Sequence, residues 1–189
     1  MTDFLPPDHE LIPLAKNDDR AAFQTLVERY LPEVYRFCHN FIGNTADAED
    51  ATQETFVKAW RNIRRFHENK SFKTWLFAIA KNSAIDIMRK RRSVPFSRFD
   101  TDDAENVLVA TLADPEPLPE ELFARKTLAK KVRKVLAELP PRDRTILSLR
   151  YDEELSFEDI SRILSMPANT IRSLHRRALI ALRKKFERP

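Results

Sequence analysis

A single glycine, Gly43, occurs in the 189 residues of the chain. That near-absence leaves no glycine-rich loop to cradle a phosphate. Cysteine is equally scarce. Cys38 stands alone, so neither a disulfide within the chain nor a cysteine metal cluster can form. Cys38 reads as a small core residue, and a reducing, cytoplasmic setting is expected. No run of eighteen apolar residues is present, so membrane insertion is not expected. The opening "MTDFLPPDHELIPL" lacks a basic stretch followed by an apolar one, and no secretory signal is expected. The four histidines, His9, His39, His67 and His175, are scattered. Alternating β-branched runs are missing too. Metal-ligand spacing and a nucleophile–base arrangement are not seen, which argues against an enzyme.

What the chain does have is apolar residues at helical spacing almost throughout. They make up 42% of the sequence with the small and aromatic types included. The expected class is all-α, with helices near 8–16, 20–42, 45–64 and 71–91. Residues 8–92 form one expected domain and 122–187 a second. Between them, 93–121 is acidic, with Pro115, Pro117 and Pro119. Those prolines break helices, so the segment reads as a linker with a short ordered piece at 107–112. Fully extended it reaches roughly 95 Å at about 3.3 Å per residue.

Charge is segregated. Residues 61–92 hold ten Lys/Arg against Glu68 and Asp86, and 172–188 hold seven against Glu187. The linker carries Arg98 against eight acids. Two basic blocks around an acidic one fit a polyanion partner.

In the second domain, Leu139-Pro140-Pro141 ends one helix, and its second proline can sit in the first turn of the next. Ser156 is a good N-cap, and Asp159 three residues on partly imitates a capping box. Ser165 and Met166 make a tight turn, and Pro167 opens another helix. The result is a helix-turn-helix. Ile171, Leu174, Ala178 and Leu182 fall on one side of its second helix. Asn169, Arg172, Ser173, Arg176, Arg177 and Arg183 fall opposite. Such a helix fits a major groove, where an arginine fork matches guanine or two phosphate oxygens. His175 at the stripe's edge reads as packing.

The first domain has a different chemistry. In "DAEDATQETFVKAW", Ala48, Thr52, Thr55, Phe56 and Ala59 point inward, and Asp50, Gln53, Glu54 and Val57 share the outer face. An acidic face with an apolar spot repels DNA and suits a protein partner. In "RFHENKSFKTWLFAIAKNSAIDIMRKRR", Phe72, Trp75, Leu76, Ile79 and Ser83 make an inward face. Phe77, Ala84 and Met88 are expected on the other side beside Lys73 and Lys81. Aromatics interleaved with lysines suit unstacked bases. Trp75 reads as core with an edge available to DNA, and 89–92 as a phosphate clamp.

These segments, with "LAELPPRDRTILSLRYDEELSFEDISRIL" and "MPANTIRSLHRRALIAL", resemble the extracytoplasmic-function (ECF) group of bacterial sigma factors, in the same order and across both domains. The resemblance implies a transcription initiation factor that binds core RNA polymerase and needs no cofactor. It assigns Asp50, Gln53, Glu54 and Val57 to polymerase. Phe66, Asn69, Lys70, Lys73, Trp75, Lys81, Asn82, Asp86 and Arg89 fall in the part that reads and melts the minus-ten element, including its non-template strand. Asn169, Thr170, Arg172, Ser173, Arg176 and Arg177 fall in the reader of the duplex minus-thirty-five element. An anti-sigma protein is a further implied partner. The chain departs from the pattern at Ser165 and Asn169, where glycine is usual, and at Leu174, where arginine is. With the chain closing at Pro189, the minimal two-domain form is expected. The rival reading is a stand-alone helix-turn-helix regulator, which would bind duplex without polymerase.

Overall fold

The computed structural model describes residues 6–93, 131–132 and 134–186, although not the side chains of 92 and 93. Apart from residue 93, the linker expected at 93–121 lies outside the described residues, as does its ordered piece at 107–112.

Each helix begins where the sequence supplies a cap. In α1 (Asp8–Lys16), Pro7 precedes a first turn carrying Asp8 and Glu10, acids that suit the positive end of the helix dipole. Asp19 caps α2 (Arg20–Ile42), its carboxylate accepting from the amides of Ala21 and Ala22. Gly43 ends α2 at φ +82, a left-handed conformation that glycine adopts without steric cost. Asn44 caps α3 (Thr45–Asn62) through the Asp47 amide. Helix α3 stops two residues short of the sequence expectation, because Ile63–Arg65 tighten into a 3₁₀ turn with Ile63 buried. The fourth helix, α4, covers Phe72–Ser93.

In the second body, residues 134–137 are helical and lead to buried Leu139. Pro141 then opens α5 (Pro141–Tyr151) as its first residue, where its missing N–H costs nothing. Ser156 caps α6 (Phe157–Leu164), accepting from the Asp159 amide at 3.0 Å. The helix-turn-helix turn lies at Ser165, which is left-handed at φ 56 and ψ 44. A single residue in that region replaces the usual glycine. Helix α7 (Ala168–Phe186) follows. The fold is all-α, two helical bodies with a helix-turn-helix in the second.

The core runs through both bodies. Leu26, Val34, Phe37 and Cys38 of α2 meet Ala48, Ala51 and Ala59 of α3, and Leu76, Phe77 and Ala80 of α4. Ile146 and Leu149 of α5, Ile160 and Ile163 of α6, and Ile171 and Leu174 of α7 continue the same cluster. The junction is made by α5 on α2 and by α6 on α4. The core overturns one expectation. Phe77 and Ala84 are fully buried, not outward. Phe77 meets Phe37 edge-on at 5.3 Å between ring centroids. Burial drives the Cys38 thiol up to about 12, consistent with an inert core cysteine.

Candidate functional site

The face on α3 forms as the wheel predicts. Thr52 and Thr55 turn in and bond the carbonyls of Ala48 and Ala51. That leaves Asp50, Gln53 and Val57 exposed, with Glu54 half-buried. Glu54 lies 3.7 Å from Lys58, which also pairs with Asp86 at 3.1 Å. Sequence reasoning missed the neighbours of this face on α2. Leu31, Pro32 and Tyr35 join Glu49, Thr52 and Gln53 around a shallow groove of about 380 Å³. Leu31 is 45% exposed and Val57 43%. An exposed leucine beside an acidic face was the signal available, but only the packing of α2 on α3 brings the two together.

The loop and helix from 66 to 93 build a second surface. Phe66, Phe72 and Trp75 form a triangle with centroid spacings of 5.1–5.5 Å. Phe66 is buried, so its expected place among the DNA contacts is corrected: it supports the half-exposed Trp75 from below. Asn69 and Lys70 are exposed in the loop, and Asn82 and Arg89 on α4. A hollow of about 310 Å³ opens between α1, α2 and this loop, with Tyr30, Phe72, Lys70 and Lys73 among its lining. Arg89 pairs with Asp86 at 3.1 Å and Arg91 with Asp47 at 2.5 Å, so the basic run is partly neutralised within its own body.

The lysines of α4 are engaged elsewhere. Lys73 Nζ lies 2.8 Å from Glu153 and 3.0 Å from Glu33. The facing Oε2 atoms of both acids are buried and sit off the hydrogen-bond direction, so these contacts are chiefly ionic. Burial pulls the Lys73 ammonium down, but the two carboxylates outweigh it and hold it above its ordinary value. Burial pushes the Glu33 carboxyl up, against the pull of Lys73 and with the help of Glu153. Lys81 donates to Ser165 Oγ at 3.1 Å.

On α7 the basic face is outward. Asn169, Arg172, Ser173, Arg176 and Arg177 are exposed and Thr170 half-buried. Arg172 donates to Asn169 at 2.9 Å and to Glu158 of α6 at 2.5 Å. His175 packs edge-on to Phe157 at 5.2 Å, with Nε2 3.2 Å from the Tyr151 hydroxyl. Burial, with Arg150 nearby, lowers its pKa. Among the described residues no cluster of three or more His, Cys, Asp or Glu could hold a metal ion, and no helix is long and apolar enough to cross a membrane.

An acidic, apolar-spotted helix face, an aromatic-basic loop and helix, and an arginine-faced helix-turn-helix therefore share one chain. Two family profiles match these parts: Sigma-70 region 2 over residues 26–94, and Sigma-70, region 4 over 135–184. The chain is 33% identical to the ECF RNA polymerase sigma factor SigW of Bacillus subtilis, over 90% of this chain and 92% of that protein. It is 32% identical to the RNA polymerase sigma-H factor of Pseudomonas aeruginosa, over 95% and 94%. Among solved structures it resembles the sigma factor RpoE of Bartonella quintana, in complex with the anti-sigma factor NepR. That match has a TM-score of 0.68 and 25% identity, over 88% of this chain and 97% of that one. The fold also matches CnrH in complex with the cytosolic domain of CnrY, at TM-score 0.62 and 24% identity, over 94% and 95%. The chain belongs to the ECF sigma factors of RNA polymerase, transcription initiation factors that direct the enzyme to promoters. The stand-alone regulator is not favoured.

Proposed function

We propose that the two bodies divide promoter recognition, with residues 8–92 serving polymerase binding and the minus-ten element, 93–121 the tether, and 122–187 the minus-thirty-five duplex. Asp50, Gln53, Glu54 and Val57 dock on core polymerase, with Leu31 and Tyr35 flanking them. Asn69, Lys70, Lys73, Trp75, Lys81, Asn82 and Arg89 meet the melted non-template strand, and Asp86 orients Arg89. The hollow beside Lys70 takes an unstacked base, whose π-face suits an aromatic lining. Asn169, Thr170, Arg172, Ser173, Arg176 and Arg177 enter the major groove. The reading includes no catalysis and no cofactor, and it places the protein in the cytoplasm. An anti-sigma protein is a proposed partner, as NepR is for the Bartonella RpoE.

The observation that carries this reading is the separation of surfaces: acids face outward on α3, while arginines face outward on α7. Charge reversal at Asp50 and Glu54, with Gln53→Ala, should abolish core binding while leaving helical content intact. Full retention of binding by that folded variant contradicts the α3 assignment. Arg176→Ala should cost about 1–3 kcal/mol if it removes a base contact, and the loss should vanish when the upstream element is scrambled. Replacing Lys73 and Asn82 with Ala should impair strand opening, read as permanganate reactivity of unpaired thymines. A premelted template should rescue that variant and not Arg176→Ala. Equal rescue of both contradicts the division of labour.

A further inference from the structure

Helix α1 packs against the 3₁₀ turn Ile63–Arg65. It lines one side of the hollow beside Lys70 with Asp8, His9, Ile12 and Pro13. The facing side is the loop 66–71, which forms no helix or strand. Within that stretch the amide of Phe66 donates to Ile63 and that of Lys70 to His67, each at 3.0 Å. The shape of the loop therefore depends on what surrounds it.

Two ion pairs reach it from the end of α1. Lys16, in the last turn of the helix, donates to Glu68 in the middle of the loop at 2.6 Å. Asp18, two residues on, pairs with Arg64 just before the loop. Asp18 is left-handed at φ 66, a conformation that aspartate tolerates better than most residues. The amides of Asp18 and Asp19 bond back to Ala15 and Leu14 at 3.2 and 3.1 Å, which closes α1 in a tight turn. The other end of α1 is tied to α2. Asp8 accepts from the Arg29 guanidinium and from the Tyr30 hydroxyl. Tyr30 in turn packs on Phe72 at 5.5 Å, and Phe72 is one corner of the triangle with Phe66 and Trp75. One helix thus meets the outer edge of the loop through charge and its aromatic floor through Tyr30.

We propose that α1 positions the minus-ten loop, with Lys16 and Asp18 holding Glu68 and Arg64 so that the hollow keeps its shape for an unstacked base. The proposal rests on the assignment of this loop to the minus-ten element. Neither residue needs to touch DNA. Lys16 also neutralises Glu68, an acid on the lining that would otherwise repel the phosphates of the strand. A preformed hollow takes its base without the entropy cost of ordering the loop. Exposed ion pairs contribute little to stability, so the tether shows in selection between bases and not in the strength of the fold.

The test uses the full chain, free and in holoenzyme with core RNA polymerase. The variants are Lys16→Gln, Asp18→Asn and the two together. Asparagine tolerates the left-handed φ and loses only the charge. Hydrogen exchange across residues 64–74 reads the loop in the free protein. Selection is read by transcription from a library of duplex templates, made from a promoter fragment that the parent holoenzyme opens and randomised across its minus-ten element. The double variant should quicken exchange across the loop and reduce preference among minus-ten bases by about threefold to tenfold, with the urea unfolding midpoint unmoved. Lys16→Arg keeps the pair and should match the parent chain. In a Glu68→Gln chain, Lys16→Gln should add nothing, because the lysine acts through that carboxylate. Unchanged exchange in the double variant overturns the tether. Faster exchange with unchanged selection overturns its role in reading. A full additional loss in the Glu68→Gln chain means that Lys16 meets DNA itself, and overturns its positioning role. Lys70→Ala and Asn82→Ala on the same library judge the minus-ten assignment. If both leave selection intact, that assignment fails, and hydrogen exchange still judges the tether.

Discussion

Phe77→Ala distinguishes a solvent-facing α4 from a covered one. The ring is fully buried and packs edge-on against Phe37, itself nearly buried, at 5.3 Å. Lys73 Nζ lies 5.9 Å from its centroid on another side. Truncating a buried phenylalanine removes its transfer free energy and leaves a cavity, together about 3–5 kcal/mol. The edge-on pair with Phe37 accounts for about 0.5–1.5 kcal/mol of that. On an exposed helix face the same change would fall within about 0.5 kcal/mol. Domains of this kind are stable by about 5–15 kcal/mol, so the loss is large enough to measure and small enough to leave a folded baseline. Urea unfolding followed by circular dichroism at 222 nm should show a midpoint well below that of the parent chain. Phe77→Leu, which conserves more volume, should cost less than about 1.5 kcal/mol. A Phe77→Ala cost under about 1 kcal/mol would refute the burial of this face.

Other perturbations have equally definite outcomes. Ser165→Gly should raise stability by up to about 1 kcal/mol, read by the same unfolding curve, because relief of the roughly 1–2 kcal/mol penalty of a Cβ at the left-handed φ of 56 exceeds the roughly 0.4–1 kcal/mol that a more flexible unfolded chain costs; destabilisation would contradict strain at this turn. Asp159 is pushed up by burial, but bonds from Ser156 and Thr74 and the charge of Arg162 outweigh that and hold its carboxyl below the ordinary value. A depressed carboxyl pKa stabilises the fold above its unfolded value of about 3.9 and loses that stability as pH falls through the folded value. Asp159→Asn should therefore flatten the acid limb of stability below about pH 4, and an unchanged limb would contradict the assigned bonds. Cys38, with its thiol raised to about 12 by burial, should ignore a disulfide reagent at neutral pH until denaturant is added; prompt labelling of native protein would contradict its placement.

How far the sequence carries can be seen helix by helix. The faces of α3 and α7 were legible because each helix is amphipathic, and Ser156 and Pro167 marked the starts of the two helices of the helix-turn-helix. The helix-turn-helix needed only short-range signals. Phe77, Ala84 and Phe66 were not legible as buried. A wheel sees one helix at a time, whereas Phe77 packs on Phe37 of α2, Phe66 folds back from its loop onto Phe72 and Trp75, and α6 lies against α4 from about eighty residues further along the chain. Glu153 was invisible for the same reason, since its partners Arg36 and Lys73 are more than a hundred and about eighty residues away. Composition places such an acid in solvent; only tertiary packing makes it a buried ion-pair partner.

Start-site mapping with purified components tests the central claim most directly. Core RNA polymerase, with and without this protein, is run on a library of genomic fragments from the source bacterium, and transcript ends are sequenced. The protein should add a discrete set of start sites preceded by two shared upstream elements. Charge reversal at Asp50 and Glu54 should remove the whole set, and Arg176→Ala should weaken sites in proportion to their dependence on the upstream element. No new start sites with active core, or sequence-specific nanomolar binding of duplex by the free protein without polymerase, would contradict the account.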